Sequence, residues 1–529
     1  MRRILPRSAR FARLYTTAAD ESARVDYEAR KLVISRDTGR YYPSVSTTRD
    51  HNATVVRIDQ FNRQFASTDY RKLSRNMDTT NLVTVEGRIE SIRKSGRGMY
   101  FIDVVQDGCK LQLVVNNKLM GLSKDEFDDI HLFFRKGDLV STKGYPGVTN
   151  VGELSLKLSS PIVVLSPRLC QVPNKLSDKR IINSNRVMNY LVNPTSKDPV
   201  IAKSKIIQAI RNFLLEKQFL EVTTPILAGS GTGANARPFV TQFHGSGVHL
   251  RVAPELWLKK MVIGGFEKIF EIGQNFRNEG VDATHNPEFT SCEFYQTYTS
   301  LDQLMELTEE MFSKVHSDLS SSFYLDHLSC FQDKYPKFEF IPTLEEKTGH
   351  KLPATINSET LQQYYRDIGV EIPENKSASS LLDNLSGMYL ESISEEIEYA
   401  NTPVFIYNQP EVLSPLAKSA KKDYNGREYA ISRRFELFIN GKEYVNAYEE
   451  ENDPAVQLKK FNEQQQAKTD FNDAESLVPD WQFVSVMEYG LPPTGGWGCG
   501  IDRLAMLFSG ADRIDEVLPF GNLRDVQKQ

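Results

Sequence analysis

Four glycines stand within the six residues Gly495-Gly496-Trp497-Gly498-Cys499-Gly500, and the run passes directly into Ile501-Asp502-Arg503-Leu504. Glycines let a backbone approach a ligand closely, and a helix is expected to open near Ile501. Arg503 then sits near that helix N-terminus, where anions are favoured. A second block asks for the same kind of partner. Ile269–Ile272 and Phe289–Tyr295 read as strands joined by a polar loop over Arg277–Glu288. An arginine in such a loop can fork onto a phosphate or carboxylate, and Phe289 offers a flat face for a base.

A hairpin supplies the third feature. Arg434–Ile439 and Lys442–Asn446 flank Asn440-Gly441, the sequence of a two-residue type I′ turn. Phe438 then lies opposite Glu443, which puts Glu436 and Glu443 on one face as diagonal neighbours. Two close carboxylates repel unless a cation lies between them, and oxygen-only ligands suit Mg²⁺. Strict alternation would turn Asn446, Tyr448 and Glu450 to the other face. All can serve one site only with a bulge or bend between Glu443 and Asn446.

The rest of the chain falls into segments. At 529 residues it is long enough for about three domains. After residues 20–81, read as a polar N-terminal extension, residues 82–165 carry five short strand-like runs with glycine-containing turns. These are Leu82–Ile92, Met99–Val105, Lys110–Val115, Asp138–Gly144 and Glu153–Leu158, which suit a small closed OB-fold barrel. Residues 166–198 read as a basic linker. From residue 199 to 529 an α+β domain with an antiparallel sheet is expected, with 320–425 as an insertion or peripheral helices. It opens on a helix with Ile206, Ala209, Ile210, Phe213 and Leu214 on one face, then a strand over Phe219–Thr224 stopped by Pro225.

Composition narrows the function classes. No stretch approaches the roughly 18 apolar residues of a membrane span. Five scattered cysteines argue for a reducing compartment and against structural zinc. The net charge of −5 gives no global pull toward nucleic acid, so a polyanion must be held by local patches. Residues 1–19 differ: Arg2, Arg3, Arg7, Arg10 and Arg13 precede any acidic residue. That leader resembles a mitochondrial transit peptide, which implies the mitochondrial matrix.

Taken in order, the helix and strand ending at Pro225, the block Phe270–Tyr295 and the block Gly495–Leu504 resemble the three signature motifs of class II aminoacyl-tRNA synthetases. The resemblance implies a homodimer through the first motif. It assigns Arg277 to the ATP α-phosphate and the substrate carboxylate, places adenine between Phe289 and Arg503, and brings Glu279 and His285 to the nucleotide. It likewise puts magnesium at Glu436 and Glu443. Within the class, Leu250-Arg251-Val252-Ala253-Pro254-Glu255-Leu256-Trp257-Leu258-Lys259, the loop Gly231–Phe239, Glu293-Phe294-Tyr295 and Asn446-Ala447-Tyr448-Glu449-Glu450 resemble the lysyl-tRNA synthetases. That family implies Gly233 and Glu255 at the α-ammonium of L-lysine. Glu293, Tyr295 and Glu450 meet the ε-ammonium, and Asn446 and Tyr448 complete the pocket.

Charge logic runs the same way, because a buried ammonium needs opposite charge. Thr232 replaces a glycine common in the family, and Glu451 an apolar residue; of three consecutive glutamates, register selects Glu450. The barrel resembles the anticodon-binding domain of the lysyl, aspartyl and asparaginyl enzymes. There Phe101 matches the aromatic that stacks on the middle base, Gln112 and Glu153 match residues reading its edge, and Arg88 would hold phosphate. The expected activity is ATP-dependent formation of lysyl-adenylate and transfer to the 3′ end of tRNA(Lys). An aspartyl- or asparaginyl-type enzyme, or a catalytically silent tRNA-binding paralogue, are the competing readings.

Overall fold

The computed structural model describes residues 18–96, 98–229, 233, 236–323, 325–471 and 480–527. The arginine-rich leader, Arg97 and most of the Gly231–Asn235 loop lie outside the described residues. The chain forms two compact units. One runs to Ser177 and takes in Leu191–Pro194; the other comprises Asp178–Tyr190 and Thr195–Gln529.

In the first unit β1 (Val83–Lys94), β2 (Met99–Gln106), β3 (Cys109–Asn116), β4 (Leu139–Val148) and β5 (Leu154–Leu158) close a barrel. The pairing runs β1–β2–β3–β5–β4 and returns to β1, with only β3–β5 parallel. Inward residues alternate along each strand, so Val83, Val85, Ile102, Val104, Leu111, Leu113, Leu156 and Leu158 fill the interior. The N-terminal extension is more than a polar lead-in. Its helix Ile58–Phe65 buries Ile58, Phe61 and Phe65 in the same core, at the spacing of one helical face. Helix Ala18–Ser35 carries Arg30, whose guanidinium is buried on Asp138 at 2.8 and 3.0 Å.

The second unit is built on an eight-stranded sheet. Its strands are β6 (Leu220–Glu221), β7 (Lys268–Phe276), β8 (Glu288–Thr297), β9 (Lys337–Glu339), β10 (Val404–Tyr407), β11 (Arg434–Ile439), β12 (Lys442–Glu449) and β13 (Thr494–Gly500). The spatial order is β9-β10-β11-β12-β13-β8-β7-β6. The six central strands pair antiparallel, and only the edge strands β6 and β9 join parallel. The expected strand Phe219–Thr224 shrinks to Leu220–Glu221. Thr224 instead gives its N–H and hydroxyl to Glu271, and Pro225 has no N–H for a ladder.

Helices α1 (Asp198–Glu216), α2 (Glu255–Ile263), α3 (Leu301–Ser320) and α4 (Ile501–Ser509) belong to this unit. One sheet face carries Phe294, Leu437, Val445, Ala447 and Trp497 into a core shared with α1, α3 and α4. The other face is left for the site. The region 320–425 supplies β9 and β10 to the sheet edge and holds helices Phe340–Thr348, Ser358–Asp367 and Ala378–Tyr389 around a separate apolar cluster. The basic linker is partly helical as well, over Lys179–Ser184 and Arg186–Val192.

Candidate active site

The glycine run is a strand, β13, in the middle of the sheet. Trp497 and Cys499 turn to the core, so Gly496 and Gly498 turn to the open face. Gly496 lies between Tyr295 on β8 and Tyr448 on β12, and Gly498 between Glu293 and Asn446. Side chains therefore rise on both neighbouring strands while the strand between them has none. The glycines make a trough. A methyl group on Gly496 would overlap Glu450 Oε1 and come within 2.7 Å of Tyr295 Cε1. The trough opens into a cavity of about 450 Å³.

Every residue predicted for the amino acid lines that cavity: Gly233, Glu255, Glu293, Tyr295, Asn446, Tyr448 and Glu450. Gly233 holds φ at 115°, and a Cβ there would stand 2.7 Å from Glu255 Cβ. Tyr448 donates its hydroxyl to Glu255 at 2.5 Å, and Tyr295 donates to Glu293 at 3.2 Å. Burial, then repulsion from Glu255, pushes the Glu293 carboxyl up to about 8. Glu450 is 2 % exposed and neither of its oxygens accepts a well-formed hydrogen bond among the described residues, although Lys259 makes an ion pair with it. Glu449 points elsewhere, to Leu301 N and Arg433. Glu451 is held by Lys418 and Lys460, which explains a charge where an apolar residue was expected.

The nucleotide end adjoins these carboxylates. Arg277 opens the loop after β7, pinned by its N–H to Pro287 O at 2.8 Å, and its guanidinium lies 5.1 Å from the Phe289 ring centre. Burial lowers its pKa while Glu279, Glu443 and Glu293 oppose that. Glu279 accepts Arg237 N at 3.3 Å. Arg503 donates to Glu443 O at 2.9 Å and to His285 Nε2 at 2.6 Å. His285 Nε2 therefore carries no proton, and Nδ1–H faces Asp282 at 2.8 Å.

The hairpin behaves as its sequence predicts. Asn440 and Gly441 both have positive φ, and Phe438 pairs with Glu443. The register then slips between Leu437 and Phe438, so Tyr444 is the extra residue and Glu436 pairs with Asn446. That bulge brings Glu436, Glu443, Asn446 and Tyr448 to one cavity. Burial, with Glu443, Glu391 and Asp383 adding to it and Arg434 opposing, pushes Glu436 up to about 7. A divalent cation would relieve that repulsion. Among the described residues no cluster of three or more His, Cys, Asp or Glu could hold a metal. Two carboxylates fit Mg²⁺, which keeps several waters, and do not fit a closed zinc site.

Three neighbours of the predicted residues escaped the sequence reading. Arg434 pairs with Glu436 and gives Nε–H to Asn446 Oδ1 at 2.9 Å; its place two residues before Glu436 on one strand face was the available signal. Lys259 lies behind Glu255 and Glu450. Asp103, on the barrel, is buried beside Lys110 at 3.0 Å.

On the barrel, Phe101 is half-buried and absent from the interior cluster, because Ile102 and Val104 take the inward positions. Gln112 faces the same way and donates to Glu153 at 2.9 Å, while Ser155 donates to Gln112 Oε1 at 3.2 Å. Arg88 gives one N–H to Gly137 O at 2.9 Å.

A six-stranded antiparallel centre whose glycine strand floors a cavity, flanked by an arginine loop and an arginine-bearing helix, defines a class II aminoacyl-tRNA synthetase domain. Residues 178–524 match the family described as tRNA synthetases class II (D, K and N), and residues 83–164 match the OB-fold nucleic acid binding domain. The chain is 39% identical to the mitochondrial lysine–tRNA ligase of Saccharomyces cerevisiae, over 99% of this chain and 96% of that one. It is also 39% identical to the mitochondrial lysine–tRNA ligase of Schizosaccharomyces pombe, over 95% and 94%. A probable cytoplasmic lysine–tRNA ligase of Enterocytozoon bieneusi is 38% identical over 86% and 90%. This chain belongs to the lysine–tRNA ligases of class II.

Proposed function

We propose that the chain joins L-lysine to tRNA(Lys) in the mitochondrial matrix, and that the cavity over the glycine trough holds lysine at one end and ATP at the other. The observation that carries this is the inward set Glu255, Glu293 and Glu450, a negative wall beside the half-buried Arg277. An aspartate-specific site would need a cation where these carboxylates stand.

In this reading Glu255 and the Gly233 backbone hold the α-ammonium, and Glu293, Glu450 and Tyr295 hold the ε-ammonium. Asn446 and Tyr448 close the walls. Arg277 orients the lysine carboxylate toward the α-phosphorus and neutralises charge developing on the phosphoryl oxygens. The carboxylate oxygen forms a bond to phosphorus as the bond to the pyrophosphate oxygen breaks, giving lysyl-adenylate. Phe289 and Arg503 take the two faces of adenine, with Glu279 and His285 beside them. Glu436 and Glu443 would hold Mg²⁺, which supplies charge neutralisation for the phosphates. The ribose hydroxyl at the tRNA 3′ end then attacks the lysyl carbonyl carbon. Its ester bond forms as the bond from that carbon to the phosphate oxygen breaks, AMP leaving and the hydroxyl proton passing to the departing phosphate. No covalent enzyme intermediate is needed, and the catalysis is positioning and electrostatics.

Lysine-dependent exchange of pyrophosphate into ATP tests the reading. Folded protein that supports exchange with lysine, and not with aspartate or asparagine, fits it. Folded protein that supports none is the silent paralogue.

The barrel reads the anticodon through Phe101 stacked on the middle base, with Gln112 and Glu153 at its edge and Arg88 toward phosphate. Base–aromatic stacking contributes about 1–3 kcal/mol. Phe101→Ala should therefore raise the tRNA KM roughly 5- to 150-fold. Lysine-dependent exchange, which needs no tRNA, should stay unchanged.

A homodimer through the first motif is supported by exposed Ile201 and Leu215 on α1 and Leu220 on β6, each more than 40% accessible. Sedimentation of the intact chain at micromolar concentration would read a monomer if that face is unused. Import of the full chain into isolated mitochondria, with loss of the leader, checks the compartment.

A further inference from the structure

Lys259 is the most deeply buried cation near the site, at 1% exposure. It stands on α2 one turn after Glu255 and reaches Glu255 Oε1 at 2.7 Å, while also pairing with Glu450. Its ammonium lies 5.5 Å from the Tyr448 ring centre and 6.0 Å from that of Phe483. Glu255 and Glu450 line the cavity, whereas Lys259 does not. It touches the two carboxylates from behind.

The formal charges then balance in an informative way. With lysine bound and Glu293 having given up its proton, Glu255, Glu293 and Glu450 carry three formal negative charges, and the substrate brings two ammonium groups while its own carboxylate faces Arg277. Without a resident cation one buried carboxylate would be left over, which a low-dielectric pocket tolerates poorly. Resting on the lysine-site reading above, we infer that Lys259 is a positioning residue: a resident ammonium paired with Glu255 and Glu450 that offsets one of their charges and sets the lysine-bound pocket at two negative charges, the complement of a diammonium substrate.

Burial works against the Lys259 ammonium, but Glu255 and then Glu450 hold it charged. Burial also lifts the Glu450 carboxyl well above its usual value, with Lys259 opposing and Glu255 and Glu293 adding to the lift. Glu293 in turn feels Glu255, Arg277 and Glu271, and the Tyr295 and Tyr448 phenols are buried and neutral beside them. Removing Lys259 leaves every remaining effect on Glu450 pushing toward the protonated acid. A protonated carboxyl cannot pair with an ammonium. The deficit should therefore be largest at low pH and shrink as pH rises.

The test is lysine-dependent pyrophosphate exchange from pH 6 to 9 with the full chain. In Lys259→Gln the lysine KM should rise at least tenfold at pH 7, the gap should narrow toward pH 9, and the ATP KM should stay within twofold. Lys259→Arg, which keeps the charge, should recover most of the loss. A lysine KM within twofold of wild type, or a deficit independent of pH, overturns the proposal. Should Lys259→Gln fail to fold, the double variant with Glu450→Gln carries the test. Its lysine KM should then exceed that of Glu450→Gln alone by less than threefold, since with Glu450 neutral only two carboxylates remain for the two ammonium groups and the resident cation has no surplus charge to offset. A tenfold further loss, or failure of the double variant to fold, overturns the inference. Absence of lysine-dependent exchange in wild type would defeat the lysine-site reading itself, a result separate from any outcome at Lys259.

Discussion

Arg277→Gln should lower kcat for lysine-dependent exchange by about three orders of magnitude, because deleting one preorganised donor to a developing charge costs about 10²–10³ in rate and Arg277 serves two charged groups. Its guanidinium makes no ion pair within 4 Å among the described residues; its one hydrogen bond there is a long one, 3.5 Å, to Val252 O. The fold therefore loses little when it goes, and the thermal transition should stay put while turnover collapses. Arg277→Lys should rescue less than a tenth of the loss, since a point charge cannot fork onto two oxygens. Retained turnover in Arg277→Gln would remove this residue from the reaction centre and leave Arg503 as the phosphate-facing cation.

The parts of this site that sequence exposes are those governed by short-range geometry. Asn440-Gly441 dictates its turn, the turn dictates that Phe438 meets Glu443, and the chemistry shared by Glu443 and Asn446 then requires one extra residue, which the structure supplies at Tyr444. Register likewise separates Glu450 from its neighbours. Where partners come from distant segments the sequence is silent. Nothing near Glu451 announces Lys418 and Lys460, and nothing near β9 and β10 says that three and four residues within 320–425 extend the sheet edge.

β13 was hidden for a different reason. Glycine is depleted in strands, so local preference argued against a strand just where the site needed a floor without side chains. The helix Ile58–Phe65 was hidden by its polar composition, although its three core residues already had helical spacing. The period of those residues marks the helix where composition does not.

Glu293→Gln should reduce kcat/KM for lysine by about 10²–10³, since stripping the partner from a buried charge costs roughly 3–5 kcal/mol and part of the ammonium charge stays covered by Glu450. The pH profile carries a sharper signature than the magnitude. With its carboxyl pushed up to about 8, Glu293 is mostly protonated in the free enzyme at neutral pH and must ionise to receive an ammonium. The wild-type kcat/KM for lysine should accordingly climb from pH 6 toward 8 and level above that, the proton leaving as lysine enters. In Glu293→Gln that limb should flatten, because no proton remains to be lost at that position. A rising limb of unchanged slope in the variant would assign the titration to another group, with Glu450 the next to substitute. The same substitution also tests what the trough is for: the amide oxygen of the introduced side chain can still accept from the Tyr295 hydroxyl, so packing survives and only the charge is withdrawn. If lysine binding survived that withdrawal, the negative wall over Gly496 and Gly498 would be a structural feature and not the source of the amino-acid selection.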